Sequence, residues 1–470
     1  MNKSLNTDTD ENEIVHSNLN GLSYGFGSFS REFLRMAFSA YAFYFYESEV
    51  GLDTWLVGFA FILFAVYNMF NDPIIGYLTN KPFKFTRKWG RRFPWILIGG
   101  LPWGISYILI FLPPTLNTTS GAWILFIWLL FTTCLFDTFH SLFFVNFQGL
   151  FPEKFRTMRE RRKVSGYQVM IGVFGIAMGA VLPPLLFTFA DVSSYVWQGV
   201  VSFIIVLIGF IIAIPGTRED PETINRYLDS MKEKQEKTSF FATMWKVMKQ
   251  GPFISFMAIY TMYNCLVETM QASIPYVVRY GFGLESGATT LVFAGFLIGV
   301  LVSSPFWMKL SYKLNDNKKI MVIAAFLLGC ATLPMFFITD YYVIVANMFI
   351  WGVPLGGYWI MISPVFSDVI DHSVVITGKR EESVYTGIQQ FFGRLGIIAQ
   401  ALTFSIIHTL TGFIEGGLTQ SPEAVMGIRL HLAVIPTIFI WVGALLFWRF
   451  YKLTPEKIVN NRNMLKDMEL

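Results

Sequence analysis

Charge is scarce in this sequence. Asp, Glu, Lys and Arg make up only 14% of its 470 residues, against roughly 25% in soluble domains. With 54% hydrophobic residues and a mean hydropathy of +0.50, that shortage excludes a water-soluble fold. Cysteine is nearly absent: Cys134, Cys265 and Cys330 stand singly inside apolar runs, which excludes a disulfide framework and a Cys-rich metal site and leaves them as packing residues. There is no nucleophile–base arrangement, phosphate-cradling loop or His/Cys metal spacing, and Gly25-Phe26-Gly27 follows no strand and matches no dinucleotide fingerprint, so neither catalysis nor a cofactor is expected. The net charge is only +4, and the bases fall in short loops between apolar runs, which points to orientation in a lipid bilayer and away from nucleic acid. The N-terminal stretch is polar and mixed in charge, without an apolar core or a small-residue cleavage site; no cleaved signal peptide is expected, and the first span directs insertion.

What is abundant is apolar sequence in lengths that suit a membrane, about 20 residues per span. Stretches over 24–46, 55–78, 94–112, 122–144, 164–189 and 196–214 precede a charged break; a second set follows over 253–277, 288–308, 320–338, 342–365, 384–410 and 427–450. The sequence predicts an all-α membrane protein of about twelve spanning helices in two sets of six. Its parts are a tail over 1–23, a first bundle over 24–214, an amphipathic connector over 215–252, a second bundle over 253–450 and a tail over 451–470.

Bases crowd the loops on one side, over 81–92, 154–163 and 313–319 and at Lys379 and Arg380, together with the connector. The opposite loops hold acids and small polar residues, with Arg279 as their one clear base. Positive loops stay in the cytoplasm, so both tails are expected there, with the spans in the cell membrane. Pro183 and Pro184 in the fifth span, Pro275 in the seventh, and Gly352, Pro354, Gly356 and Gly357 in the tenth permit either close helix packing or hinges along a path.

Ionisable side chains at membrane depth are costly unless they face a cavity or each other, which makes each a functional candidate. Here they are Arg31, Glu32 and Arg35, Asp72 with Asn68, Asp137 and His140, Glu268, and Arg394 with the polar Gln390. Asn68 and Asp72 share a helix face, which Glu32 would meet if the first and second spans pack together. Two carboxylates and an amide oxygen would offer sodium the hard ligands it prefers; a buried carboxylate can instead carry a proton. The same acids with Arg31, Arg35 and Arg394 would also make a structural ion-pair cluster. Arg394 needs an anion, either Asp72, Asp137 or a group on a cargo. His140, one turn from Asp137, reads as a hydrogen-bonding wall residue. Aromatics suit membrane interfaces, and inside a cavity they stack on sugar rings and acyl chains.

Particular strings narrow this further. Asn71-Asp72-Pro73-Ile74-Ile75-Gly76-Tyr77, followed by Trp89-Gly90-Arg91-Arg92-Phe93-Pro94-Trp95, resembles the signature of the glycoside–pentoside–hexuronide:cation symporters, the melibiose-permease branch of the major facilitator superfamily. Leu22-Ser23-Tyr24-Gly25-Phe26-Gly27, Leu56-Val57-Gly58, Asp368-Val369-Ile370-Asp371 and the loop over 377–382 extend the resemblance along nearly the whole chain. It implies a major-facilitator-type fold of two six-helix bundles and alternating access driven by a sodium or proton gradient. It also implies that Glu32 holds the acidic place of the first span serving sugar and cation, Asp72 that of the second acid of the cation pair, and Arg394 that of the eleventh-span lysine linking the two. Asn68 replaces the first acid of that pair, Phe144 stands where the sugar-binding acid of the fourth span is expected, and Gln168 lies near the place of the fifth-span arginine. These departures weaken a galactoside reading and favour a less polar or amphiphilic cargo, such as an aryl glycoside, a steroid or terpenoid conjugate, or a lysolipid, since lysolipid carriers belong to the same branch.

The expected function is therefore symport of a glycoside or related small organic solute with sodium or protons, with lysolipid transport as the alternative and a non-transporting receptor as a different class. Glu32, Asn68 and Asp72 are the expected cation site; Glu32, Asp137, His140, Phe144, Gln168, Gln390 and Arg394 are the expected substrate site. Arg91 and Arg92 are expected to gate by pairing with acids in one state only, although topology alone also accounts for them. A monomer is expected.

Overall fold

The computed structural model describes residues 15–230, 240–378 and 382–467; Lys379 and Arg380 of the basic loops lie outside the described residues, as do parts of both tails and of the connector. No strand occurs among the described residues. The first set of helices is α1 (Asn18–Tyr44), α2 (Thr54–Thr79), α3 (Phe93–Ile110), α4 (Ala122–Lys154), α5 (Met158–Val181) and α6 (Val192–Thr217). The second is α7 (Gly251–Tyr276), α8 (Ala288–Leu314), α9 (Asn317–Thr332), α10 (Tyr341–Thr377), α11 in two segments (Glu382–Gly393 and Leu395–Thr411) and α12 in two (Pro422–Arg429 and Ile435–Phe450). Side-chain caps fix several starts: Asp53, Asp191, Asp340 and Ser421 accept from backbone N–H groups at the heads of α2, α6, α10 and α12, which satisfies donors that lipid would leave unpaired.

Ten of these helices are long and apolar enough to cross a membrane. The other two, α1 and α7, have 27 and 26 residues and are more polar, α1 through Arg31, Glu32 and Arg35, α7 through Asn264, Glu268 and Gln271. Packing explains how they tolerate this. α1 lies against α5, α6 and α7, and α7 against α11, α12 and α1, so their polar faces are screened from lipid.

Each half follows one packing plan. In the first, α1 packs on α5 and α6, α3 on α4 and α6, and α2 on α4; in the second, α7 packs on α11 and α12, α9 on α10 and α12, and α8 on α10. The halves meet along α1–α7, α2–α11 and α5–α8. Gly352 serves the α8–α10 contact: a Cβ there would run into the Phe296 carbonyl, with Gly299 of α8 directly opposite. At Pro183 α5 passes into a short 3-10 turn, Pro183–Leu185, and just beyond Pro275 α7 passes into a wide turn, Val277–Gly281.

Candidate functional site

α11 is interrupted at Arg394. Glycines on either side of the break let α11 approach α7; a Cβ on Gly396 would stand 2.9 Å from the Asn264 backbone. Arg394 thereby faces Asp72 of α2, with Nη2 3.7 Å from Oδ2. The other Asp72 oxygen accepts from Ser141 Oγ of α4 at 2.5 Å. The Asn71 amide donates to Ser141 Oγ at 3.0 Å and to Asp137 Oδ2 at 2.9 Å, and Asn68 donates to Asp137 Oδ1 at 2.7 Å. Two carboxylates, two amides and a hydroxyl thus form one network, drawn from adjacent turns of α2 and α4. His140 stands 3.9 Å from Asp137, with its ring stacked on Phe144.

Glu32 lies elsewhere than the sequence suggested. Because α1 packs on α5, α6 and α7, Glu32 pairs with Arg31 and Arg35 of its own helix, and Asp137 takes its expected place beside Asn68. Phe144 carries the Arg31 guanidinium over its ring, 3.9 Å from the centroid, a cation–π contact where the resemblance implied an acid. Gln168 reaches Ser28 Oγ at 3.5 Å, and Gln390 sits one turn before Arg394, its carbonyl accepting from the Arg394 N–H at 3.2 Å.

Beside the network, between the halves, lies a cavity. Phe38, Phe61, Phe64, Trp103 and Phe136 give it an aromatic wall, and Arg35, Asn68, Asp137, His140, Glu268, Arg394 and Gln400 a polar one. Glu32, Phe144, Gln168 and Gln390 stand outside this wall. Five lining residues hold a buried polar atom without a hydrogen-bond partner: Asn68 Oδ1, Trp103 Nε1, His140 Nε2, Arg394 Nε and Gln400 Nε2. Asn71, Ser141, Trp103 and Gln400 were missed from sequence; a Gln within the apolar segment of α11 after Arg394 was the available signal for the last. Among the described residues no group of three or more His, Cys, Asp or Glu is placed to hold a metal ion.

Arg91 and Arg92 both pair with Glu153 at the end of α4, Arg92 at 2.6 Å. The Glu219 carboxylate, just past α6, accepts from the backbone N–H groups of Arg91, Arg92 and Phe93 at 3.1, 2.5 and 3.0 Å. Gly90, at φ +90°, makes room for it, since a Cβ there would collide with the carboxylate. Burial raises the Glu219 carboxyl above its usual range against the pull of these donors. In this conformation both arginines brace the first half internally. At the other end the halves are joined to each other: Arg279 of the turn after α7 pairs with Glu49 at 2.9 Å, and Thr54 N donates to Glu415 at 3.2 Å.

A family model described as MFS/sugar transport protein matches residues 23–455. The chain is 22% identical to sodium-dependent lysophosphatidylcholine symporter 1 of Gallus gallus, over 89% of this chain and 83% of that one. It is 21% identical to the isoprimeverose transporter of Lactiplantibacillus pentosus, over 97% and 93%, and 22% identical to the lactose permease of Lactobacillus delbrueckii subsp. bulgaricus, over 93% and 70%. The solved structure of the nucleoside transporter NupG matches with a TM-score of 0.62 at 12% identity, covering 92% of this chain and 100% of that one, which shows a shared fold. Two helical halves around an interface cavity are what a carrier requires, and with the match over nearly its whole length this chain is a multi-pass membrane transporter, not an enzyme, and belongs to the MFS/sugar transport protein family.

Proposed function

We propose that this protein is a cation-coupled symporter that carries a small hydroxyl-bearing organic solute of the glycoside type across the cell membrane by alternating access. The observation that carries this reading is the set of unpartnered polar atoms around the interface cavity: donors on Trp103, Arg394 and Gln400, an acceptor on Asn68, and either role on His140. Buried polar groups without partners are costly. Hydroxyl groups both donate and accept, so one polyhydroxylated solute would satisfy donors and acceptor alike, while the aromatic wall would receive its apolar face. Relatives whose names give isoprimeverose and lactose support the same class.

Asp72, Asp137, Asn68, Asn71 and Ser141 are the coupling site in this reading. Arg394 offsets part of the charge of the two carboxylates. When a solute draws Arg394 toward itself, Asp72 is left short of positive charge, and a sodium ion or proton replaces it. With the basic loops in the cytoplasm, the end joined by Glu49 and Arg279 faces outward and is closed in this state.

Uptake into proteoliposomes with a panel of glycosides tests the proposal: accumulation should require an imposed sodium or proton gradient, and indifference to both gradients for every solute would refute it. Lysolipid transport is the second reading, favoured by the aromatic wall and the Gallus gallus relative. Against it, Gly58 of α2 packs directly on Ser405 of α11, and Phe70 meets Phe391 with ring centroids 6.3 Å apart, which narrows a sideways route for an acyl chain. Lysophosphatidylcholine in the same assay decides between them.

A further inference from the structure

The outward end holds a group that the central site does not use. Glu47, in the turn after α1, is fully buried, as are His408 of α11 and His431 in the turn within α12. Glu47 Oε1 lies 2.8 Å from His408 Nδ1, His408 Nε2 lies 3.0 Å from His431 Nε2, and His431 Nδ1 lies 2.6 Å from Ser273 Oγ of α7. Glu47 belongs to the first half and the other three to the second, so this hydrogen-bonded chain crosses the boundary. Tyr276 also donates to Glu47, and Thr54 Oγ1 stands 2.5 Å from Glu47 and 2.8 Å from Glu415.

The protons in this chain can be counted. Two facing Nε2 atoms need one N–H between them. In the first arrangement His408 Nδ1–H donates to Glu47, His431 Nε2–H donates to His408, and Ser273 donates to His431; the chain then carries the bare charge of one carboxylate. In the second, one added proton puts N–H on both nitrogens of His408, His431 changes tautomer and donates to Ser273, and Ser273 donates to the Thr269 carbonyl 2.6 Å away. The carboxylate now faces an imidazolium. Both arrangements satisfy every polar atom at the same heavy-atom positions, and burial away from water favours the one without net charge.

Among the described residues, the charged neighbours do not supply the balance. Glu49 is paired with Arg279 and accepts from Tyr44 and Tyr195, Asp53 caps α2, Tyr280 donates to the Gly417 carbonyl, and Glu415 adds negative charge through Thr54. Arg429 stands two residues before His431, a helical spacing that sets the two side chains apart.

We propose that Glu47, His408 and His431 form a second proton-binding site, filled by one proton from the exterior as the outward end closes and emptied to water as it opens. This rests on the alternating-access reading. Opening parts Glu47 from His408 and wets both, so the carboxylate no longer needs an imidazolium beside it and the proton leaves to solvent. Closure therefore takes up a proton, and within the titration range the closed-to-open ratio falls tenfold for each unit rise in external pH.

Spin labels at Thr119 and Leu418, on outward loops of opposite halves, with the native cysteines replaced by serine, report this by distance measurement on the full chain in nanodiscs across roughly pH 5 to 9. The labels should draw together as pH falls, and His431→Gln should flatten the response. A distance that shifts with a glycoside but not with pH overturns the proposal alone; one that never shifts overturns the transport reading with it. Nitrogen-15 histidine NMR of the unmutated chain is independent of whether variants fold: His408 should carry two N–H groups in the closed state, and a neutral ring at every pH overturns the site.

Discussion

Arg394 and Asp72 face one another across the boundary between the halves, Nη2 3.7 Å from Oδ2. At that distance the charges attract without a hydrogen bond, so the guanidinium retains donors for a solute while Asp72 keeps its bond to Ser141.

Asp72→Asn preserves shape and removes charge. The protein should fold and unfold thermally near wild type, while gradient-driven accumulation in proteoliposomes falls roughly 10- to 100-fold, the equivalent of one charged contact. Arg394→Lys should lose less than Arg394→Ala; equal losses would point to a two-pronged contact that lysine cannot make.

Asn68→Asp places a second carboxylate where an amide now donates to Asp137 at 2.7 Å. The repulsion between these acids should be relieved by a bound cation. Sodium should therefore raise the melting temperature of this variant more than that of wild type; an equal response would exclude Asn68 from the cation site.

How much of this was visible in the sequence depends on range. The apolar runs located the spans, yet α4 and α10 continue to Lys154 and Thr377, past their apolar stretches, because polar helix ends leave the membrane without a periodic signal. The spacing of Asn68 and Asp72 placed them on one face, but their partners, Asp137 for Asn68 and Ser141 for Asp72, come from α4, and Glu32 is turned away by the packing of α1 on α5, α6 and α7. No local pattern joins Glu47 to His408 and His431; only the meeting of the two halves does.

His16 reaches from the start of the chain to Asp220 and Glu160, 2.8 Å from each. Burial opposes its charge, but the hydrogen bond and charge of Asp220 and the hydrogen bond of Glu160 prevail, holding the ring above its ordinary value. This stabilisation is complete below the unfolded value and fades as pH rises through the folded one. The melting temperature of wild type should exceed that of His16→Gln at acidic pH, and the gap should shrink above neutrality.

Gly352→Val forces a side chain into the Phe296 backbone across the α8–α10 contact. Overpacking of this kind costs about 1–3 kcal/mol, so thermal unfolding in detergent should come earlier; an unchanged melting temperature would show that α8 and α10 can separate at no cost.

The shared packing plan bears on how such a carrier moves. In the order of the helices within each half, α2 corresponds to α8 and α5 to α11, so the α2–α11 and α5–α8 seams are near-copies with the halves exchanged. A rocking motion that parts both seams at one mouth can close both at the other without bending any helix. The balance between the two postures then hangs on the few side chains corking each mouth, and one substitution there, far from any cargo, can decide which way the carrier rests.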